Sequence, residues 1–237
     1  LQPHRRLSVV QGDIRDAGTI DLDGIDAVIH LASIANDPCG DLDPKLTWEV
    51  SCLATMRLAD RAVRHGVGQF IYASSGSPEM AVQIVRPATV CGYSPRMRLD
   101  VSVNMLSMQA LENGRITVFG GAQLRPNVHI EDITDLYIFL MHNRSLTGVY
   151  NAGFENLSIR EIAEMVCEIA DAEIVVTPSN DPRSYRMNSD KLLGTGFRPR
   201  KTVRDAILEL SGLYAQGVLK NDPRFHNLAW MQQKVVS

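Results

Sequence analysis

The chain has 237 residues, 45% of them hydrophobic, and its 24 basic and 27 acidic side chains leave a formal net charge of −3. Such a chain can bury a substantial core, in one domain or in one domain plus a lobe. The near-balanced charge excludes a general nucleic-acid or membrane-surface binder, which needs a basic patch, and no run reaches the ~18 apolar residues of a membrane span.

In chain order, Leu7-Ser8-Val9-Val10 and Ala27-Val28-Ile29-His30 are short β-branched runs that predict buried parallel strands. Val50, Leu53, Ala54, Leu58 and Ala62 fall at helical spacing over residues 46–65, and Gly66 stops that helix. Phe70 to Ser75 predicts a buried strand that delivers Ser74 and Ser75 to its C-terminal end, and Ala81 to Pro87 predicts another. Parallel neighbours need a crossover of roughly 10–12 residues or more, usually a helix. Gly76 to Met80 is too short for that, so these strands either form a hairpin or lack a piece of the natural chain between them.

Farther on, Ser158-Ile159-Arg160-Glu161 is a capping box ahead of a stripe at Ile159, Ile162, Ala163 and Val166. Thr202 starts a helix with the stripe Val203, Ala206, Ile207 and Leu210, and Pro178 to Tyr185 reads as a loop. Alternating strands and helices imply an α/β doubly wound parallel sheet. The cysteines at 39, 52, 91 and 167 form no C-x-x-C and the six histidines no H-x-x-x-H. This argues against a metal centre or a disulfide framework and for a reducing, cytoplasmic setting.

Several motifs carry more than local structure. Gly12-Asp13-Ile14-Arg15-Asp16, His30-Leu31-Ala32-Ser33, Phe70 to Ser77, Arg86-Pro87-Ala88-Thr89-Val90-Cys91-Gly92 and Arg125 to Ile133 occur in one order. In that order they resemble the extended short-chain dehydrogenase/reductase family, in its branch of nucleotide-sugar epimerases, dehydratases and reductases. The resemblance runs from about Leu7 to about Leu213. It implies a Rossmann-like cofactor-binding part over residues 1–92. Residues 93–237 would then form mainly a smaller mixed substrate lobe, with segments returning to the sheet. It also decides the open question at Gly76–Met80 in favour of an absent segment, because the family continues there into a catalytic Tyr-x-x-x-Lys pair. The family's glycine-rich turn would lie before Leu1, and neither hallmark occurs in the sequence.

By this resemblance Asp13 and Ile14 lie under an adenine ring and Leu31, Ala32 and Ser33 line the cofactor, NAD or NADP. A loop aspartate that merely caps its own turn is the plainer reading of Asp13. His30 is read as structural. Ser75 matches the catalytic hydroxyl and Ser74 its neighbour. The absent lysine would lower the absent tyrosine's pKa from about 10 and make it a usable base. Arg125 and Arg183 match diphosphate-binding positions, where a planar guanidinium engages two oxygens at once. Asn104 and Phe119 match positions near the nucleotide base, although a core phenylalanine is the rival reading. Gly76 and Ser77 stand where dehydratases carry an Asp-Glu pair, which disfavours a 4,6-dehydratase. Ser51 and Thr89 replace usual asparagines.

The expected activity is an NAD(P)-dependent 4-epimerase of a nucleotide-diphosphate sugar, in a homodimer. The alternatives are a 4-keto-sugar reductase and, were the missing segments truly deleted, a non-catalytic nucleotide-sugar binding protein.

Overall fold

The computed structural model describes residues 4–34, 37–72, 81–178 and 183–235. In chain order these hold β1 (Ala27–His30), α1 (Asp37–Gly40), α2 (Pro44–Trp48), a π turn (Glu49–Leu53), α3 (Ala54–Arg64), β2 (Gln69–Tyr72), β3 (Ala81–Pro87) and β4 (Thr89–Cys91). There follow α4 (Ser102–Asn113), β5 (Arg115–Phe119), β6 (Leu124–His129), α5 (Ile130–His142), β7 (Gly148–Ala152), β8 (Glu155–Ser158) and α6 (Ile159–Ala170). The chain closes with β9 (Glu173–Thr177), α7 (Asp190–Leu193), α8 (Val203–Ala215) and α9 (Asn227–Val235). No described helix is long and apolar enough to cross a membrane.

The chain divides into two compact units, Leu1–Ile84 with Leu140–Val149 and Met231–Ser237, and Val85–Phe139 with Tyr150–Trp230. It therefore passes from one to the other inside β3, near the end of α5, inside β7 and inside α9.

The first unit is built on a sheet of order β1-β2-β3-β7, in which β1, β2 and β3 run parallel with Gln69 opposite Ala81 and Tyr72 opposite Ile84. The parallel pairing of β2 and β3 excludes the hairpin. Only residues 73–80 join the two strands, fewer than the usual helical crossover needs. Leu22, Leu58, Ala62, Val67, Phe70 and Tyr72 form the core on one face. Deep in the sheet, Gln69 and Gln83 are fully buried. Gln69 Nε2 donates to Gln83 Oε1 (2.6 Å) and to the Leu140 carbonyl (2.8 Å), and Gln83 Nε2 donates to the Asn143 carbonyl (2.9 Å). The two carbonyls also accept from Asn143 N and Leu146 N, so the amides add second bonds at the end of α5 and find buried acceptors for their own N–H groups.

The expected strand at Leu7–Val10 is a correction. Its residues take no regular structure, and Val10 is 85% exposed. A strand needs a neighbour for its ladder, and no described strand pairs with this run. The expected helix at 46–65 forms from Pro44 to Arg64, with the π turn interrupting it, and Gly66 takes φ +71° just beyond. Asp43 caps its start by accepting from Leu46 N.

In the second unit, β4 and β6 are parallel, β8 joins β6 antiparallel, and β5 pairs with β9 in parallel. A core of Val103, Leu106, Ile116, Ile162, Val166 and Ile207 gathers α4, α6 and α8 around β5. Both capping boxes form: Ser158 Oγ accepts from Glu161 N and Thr202 Oγ1 from Asp205 N, while each carboxylate reaches back to the cap's N–H. Val203, Ala206, Ile207 and Leu210 are all buried, as the stripe predicts.

Candidate cofactor and substrate sites

In the first unit the chain after Gly12 folds over the π turn. Asp13 Oδ1 accepts from Arg15 N (2.9 Å), and the Arg15 guanidinium grips the same carboxylate through Nε and Nη2, the latter at 2.6 Å. These hydrogen bonds from the Arg15 side chain and backbone, with its charge adding less, hold the Asp13 carboxyl down at about 2, so it is ionised through the physiological range. Being exposed, the pair adds little to stability. Its effect is to fix the loop, so Asp13 does cap its own turn, with carboxylate lone pairs still open to another donor.

A groove of about 500 Å³ opens beside it, lined by Gln11, Asp13, Ile14, Ala32, Leu46 and Val50 among others. Ile14, Ala32, Leu46 and Val50 give it apolar walls and Gln11, Asp13 and Arg15 polar ones, a mix that suits a flat ring carrying an amine. Asp13, Ile14 and Ala32 thus come together. Leu31 and Ser33 lie exposed at the end of β1 but are not among the groove's walls.

Beneath the sheet edge lies a polar chain that the sequence did not reveal. His30 Nε2 meets Thr55 Oγ1 at 2.8 Å, and the His30 ring stacks on Tyr72 at 4.9 Å. Tyr72 Oη and Thr55 Oγ1 both donate to the Ser51 carbonyl, at 3.0 and 3.1 Å, and Ser51 Oγ accepts from Ile34 N at 3.0 Å. The π turn makes this possible: Ala54 N–H bonds back to Glu49 O, five residues earlier, and the local ladder is widened around Ser51. The only advance signal was a tyrosine and a threonine at inward positions.

Burial lowers the His30 pKa. The unfolded chain therefore binds a proton that the fold does not. Stability should be full above the ordinary histidine range near 6.5 and decline as pH falls through it. Urea midpoints between pH 7.5 and 5.5 should fall less in His30→Gln than in the parent, whereas equal losses would place the sensitive group elsewhere.

Ser74 and Ser75 lie outside the described residues. In the second unit, Arg125 Nη1 donates to the Leu124 carbonyl (2.9 Å) and to the Arg183 carbonyl, and its guanidinium stands 5.8 Å over the Tyr185 ring. Leu124 N donates to Ser184 Oγ at 3.0 Å, so β6 and residues 183–185 are tied together. The sequence's two arginines are brought side by side, through the backbone of Arg183, whose side chain is exposed. Phe119 is 55% exposed at the end of β5, which rules out the core reading.

Asn104 behaves differently from a ligand-facing residue. It is buried, its Oδ1 accepts from Gly92 N (3.1 Å), and its Nδ2 donates to the Arg98 carbonyl (2.9 Å). Both ends of the amide thus fasten the chain after β4. Close by, Gly92 takes φ +95°, and an added Cβ there would sit 2.9 Å from His129 Nε2. His129 is buried, accepts from Glu131 N at Nδ1 (3.1 Å), and faces Glu209 Oε2 at 3.5 Å through Nε2. Glu209 also accepts from Tyr93 N (3.0 Å). His129 and Glu209 were not singled out beforehand, although His129 stands inside a quoted motif. No cluster that could hold a metal ion occurs among the described residues.

Residues 2–80 match the family model described as the NAD dependent epimerase/dehydratase family. The match spans about a third of the chain. The chain is 31% identical over 119 residues to GDP-L-fucose synthase 1 of Arabidopsis thaliana, a match that spans 46% of this chain and 36% of that protein. It is 25% identical to dTDP-glucose 4,6-dehydratase of Streptomyces griseus, covering 87% of this chain and 77% of that one. That alignment runs over 254 positions, longer than this whole chain of 237, so the dehydratase carries residues inside the matched region that this chain lacks.

Among solved structures, RMD from Pseudomonas aeruginosa, complexed with NADPH, superposes with a TM-score of 0.75 at 21% identity, covering 88% and 89% of the two chains. UDP-glucose 4-epimerase of Thermotoga maritima, with UDP-glucose, gives 0.73 at 16%, covering 88% and 84%. The fold is the Rossmann-like α/β fold of these structures.

Proposed function

We propose that the protein is an NAD(P)-dependent nucleotide-diphosphate-sugar 4-epimerase that works by transient oxidation at carbon 4. The carrying observation is the groove in which Asp13, Ile14 and Ala32 meet, inside the segment that matches the NAD-dependent family. Its apolar walls and ionised carboxylate fit the adenine end of a dinucleotide, with Leu31 and Ser33 at the neighbouring strand end. The bound nicotinamide would take up and return hydride. On the chain's side, Ser75 would share a proton with the sugar hydroxyl, with Ser74 beside it, while Arg125 and Arg183 would hold the diphosphate. Phe119 would offer an exposed ring to the base, and Asn104 would position the chain after β4 rather than touch the ligand.

The second reading is a 4-keto-sugar reductase that consumes NAD(P)H, and the likeness to GDP-L-fucose synthase 1 favours it. We assign a homodimer to either enzyme, supported by Trp48 and Met56, which are 56% and 63% exposed on one helical run with exposed Cys52 between them.

The deciding assay gives the full protein a nucleotide-diphosphate hexose with cofactor and follows 340 nm absorbance and sugar products together. Epimerisation predicts a new 4-epimer with no net absorbance change. Loss of reduced cofactor with a 4-keto-sugar would establish the reductase instead. Binding without turnover in both arms would leave a nucleotide-sugar binding protein.

A further inference from the structure

A second, separate cleft of about 290 Å³ lies in the first unit, between the turn at Asp16–Gly18 and one face of α3. Arg57, Arg61 and Arg64 line it from the helix at i, i+4 and i+7 spacing, and Arg15 closes it from the loop. The only acids on its wall are Asp16 and Asp60. Asp60 is already committed to Arg64 at 2.5 Å, and Arg15 to Asp13 and, more distantly, to Glu49 at 3.7 Å. Arg57 is exposed and pairs with no carboxylate among the described residues. Arg61 bonds only the Ile20 carbonyl through Nη2 (3.0 Å), and its Nη1 is buried with no partner at all.

Four guanidinium groups at one cleft repel one another, and a buried donor without an acceptor is costly. In a chain of net charge −3 this concentration of positive charge is local, not a general property of the surface. Guanidinium forks match the oxygens of a phosphate, each offering two parallel donors. We infer that this cleft is a binding site for a small phosphate-bearing anion, with Arg57 and Arg61 as its principal ligands and Arg15 and Arg64 completing the charge. Arg15 also lines the groove beside Asp13, so the anion and an adenine nucleotide would share one wall.

The test uses isothermal titration of the full protein at low ionic strength with inorganic pyrophosphate, inorganic phosphate and AMP. Arg57→Ala is the informative variant, because the side chain is exposed and supports no described contact. Pyrophosphate or phosphate should saturate the parent protein, and Arg57→Ala should weaken binding about 10- to 150-fold, the range for losing a charged hydrogen-bond partner. Arg57→Lys should recover part of it, since the charge stays but the fork is lost. If AMP alone binds and is weakened by Arg57→Ala, the site reads a phosphate carried on a nucleotide. If no probe binds, or Arg57→Ala leaves every affinity unchanged, the inference is overturned.

Discussion

Arg125→Ala is expected to raise the Michaelis constant for the nucleotide sugar about 10- to 150-fold while turnover changes far less. The range follows from about 1.5–3 kcal/mol for a charged hydrogen-bond partner. A diphosphate lies away from the reacting carbon and binds alike in ground and transition states, so its loss falls on binding rather than on the chemical step. Arg125→Lys should restore only part, because an ammonium has no planar fork. The structure supplies a specific rival. Arg125 already ties the carbonyls of Leu124 and Arg183, so it could serve only to hold residues 183–185 against β6. In that case Arg125→Ala would lower thermal stability and leave the Michaelis constant where it was. Measuring both quantities on one preparation separates the two roles.

The largest expected effect on stability belongs to Gly92→Ala. Its backbone sits at φ +95°, a region that costs an L-residue roughly 1–2 kcal/mol. The new methyl would also press on His129 Nε2 at 2.9 Å and Glu209 Oε2 at 3.2 Å. Neither neighbour can retreat cheaply, since His129 is buried and Glu209 is held by Tyr93 N. Overpacking of that kind typically adds about 1–3 kcal/mol, so a loss of about 3 kcal/mol in urea denaturation is expected. Gly196→Ala is a useful comparison, because its φ is +99° but no atom lies near its added Cβ. It should show the backbone penalty alone. Equal losses in the two variants would mean that the His129–Glu209 contact does not constrain the turn.

Much of the second unit was legible in advance because its signals are local. Ser158 with Glu161 and Thr202 fix where α6 and α8 begin, and the stripe after Thr202 names its own buried face. The groove at Asp13 was legible only by motif, since nothing in Gly-Asp by itself predicts that Arg15 will turn back onto the carboxylate. What failed was the run Leu7–Val10. Its β-branched composition is right for a strand, but a strand is a property of pairs, and propensity carries no information about a neighbour. The His30–Thr55–Tyr72–Ser51 chain was hidden for a related reason. It joins residues up to 42 positions apart through a π turn, and helical periodicity does not announce such a turn. Asn104 was read as facing a ligand because its position matched, whereas its hydrogen bonds are spent on Gly92 and Arg98.

The four crossings of the chain between its units bear on how the protein can be made and broken. Gln69 and Gln83 find their acceptors on Leu140 and Asn143, more than fifty residues away along the chain. A polypeptide that ended after Ile84 would leave two buried amides without those carbonyls. On a ribosome, the first unit cannot finish assembling until the stretch through Val149 has emerged. The half of the protein that begins first must therefore wait for chain from the middle of the sequence.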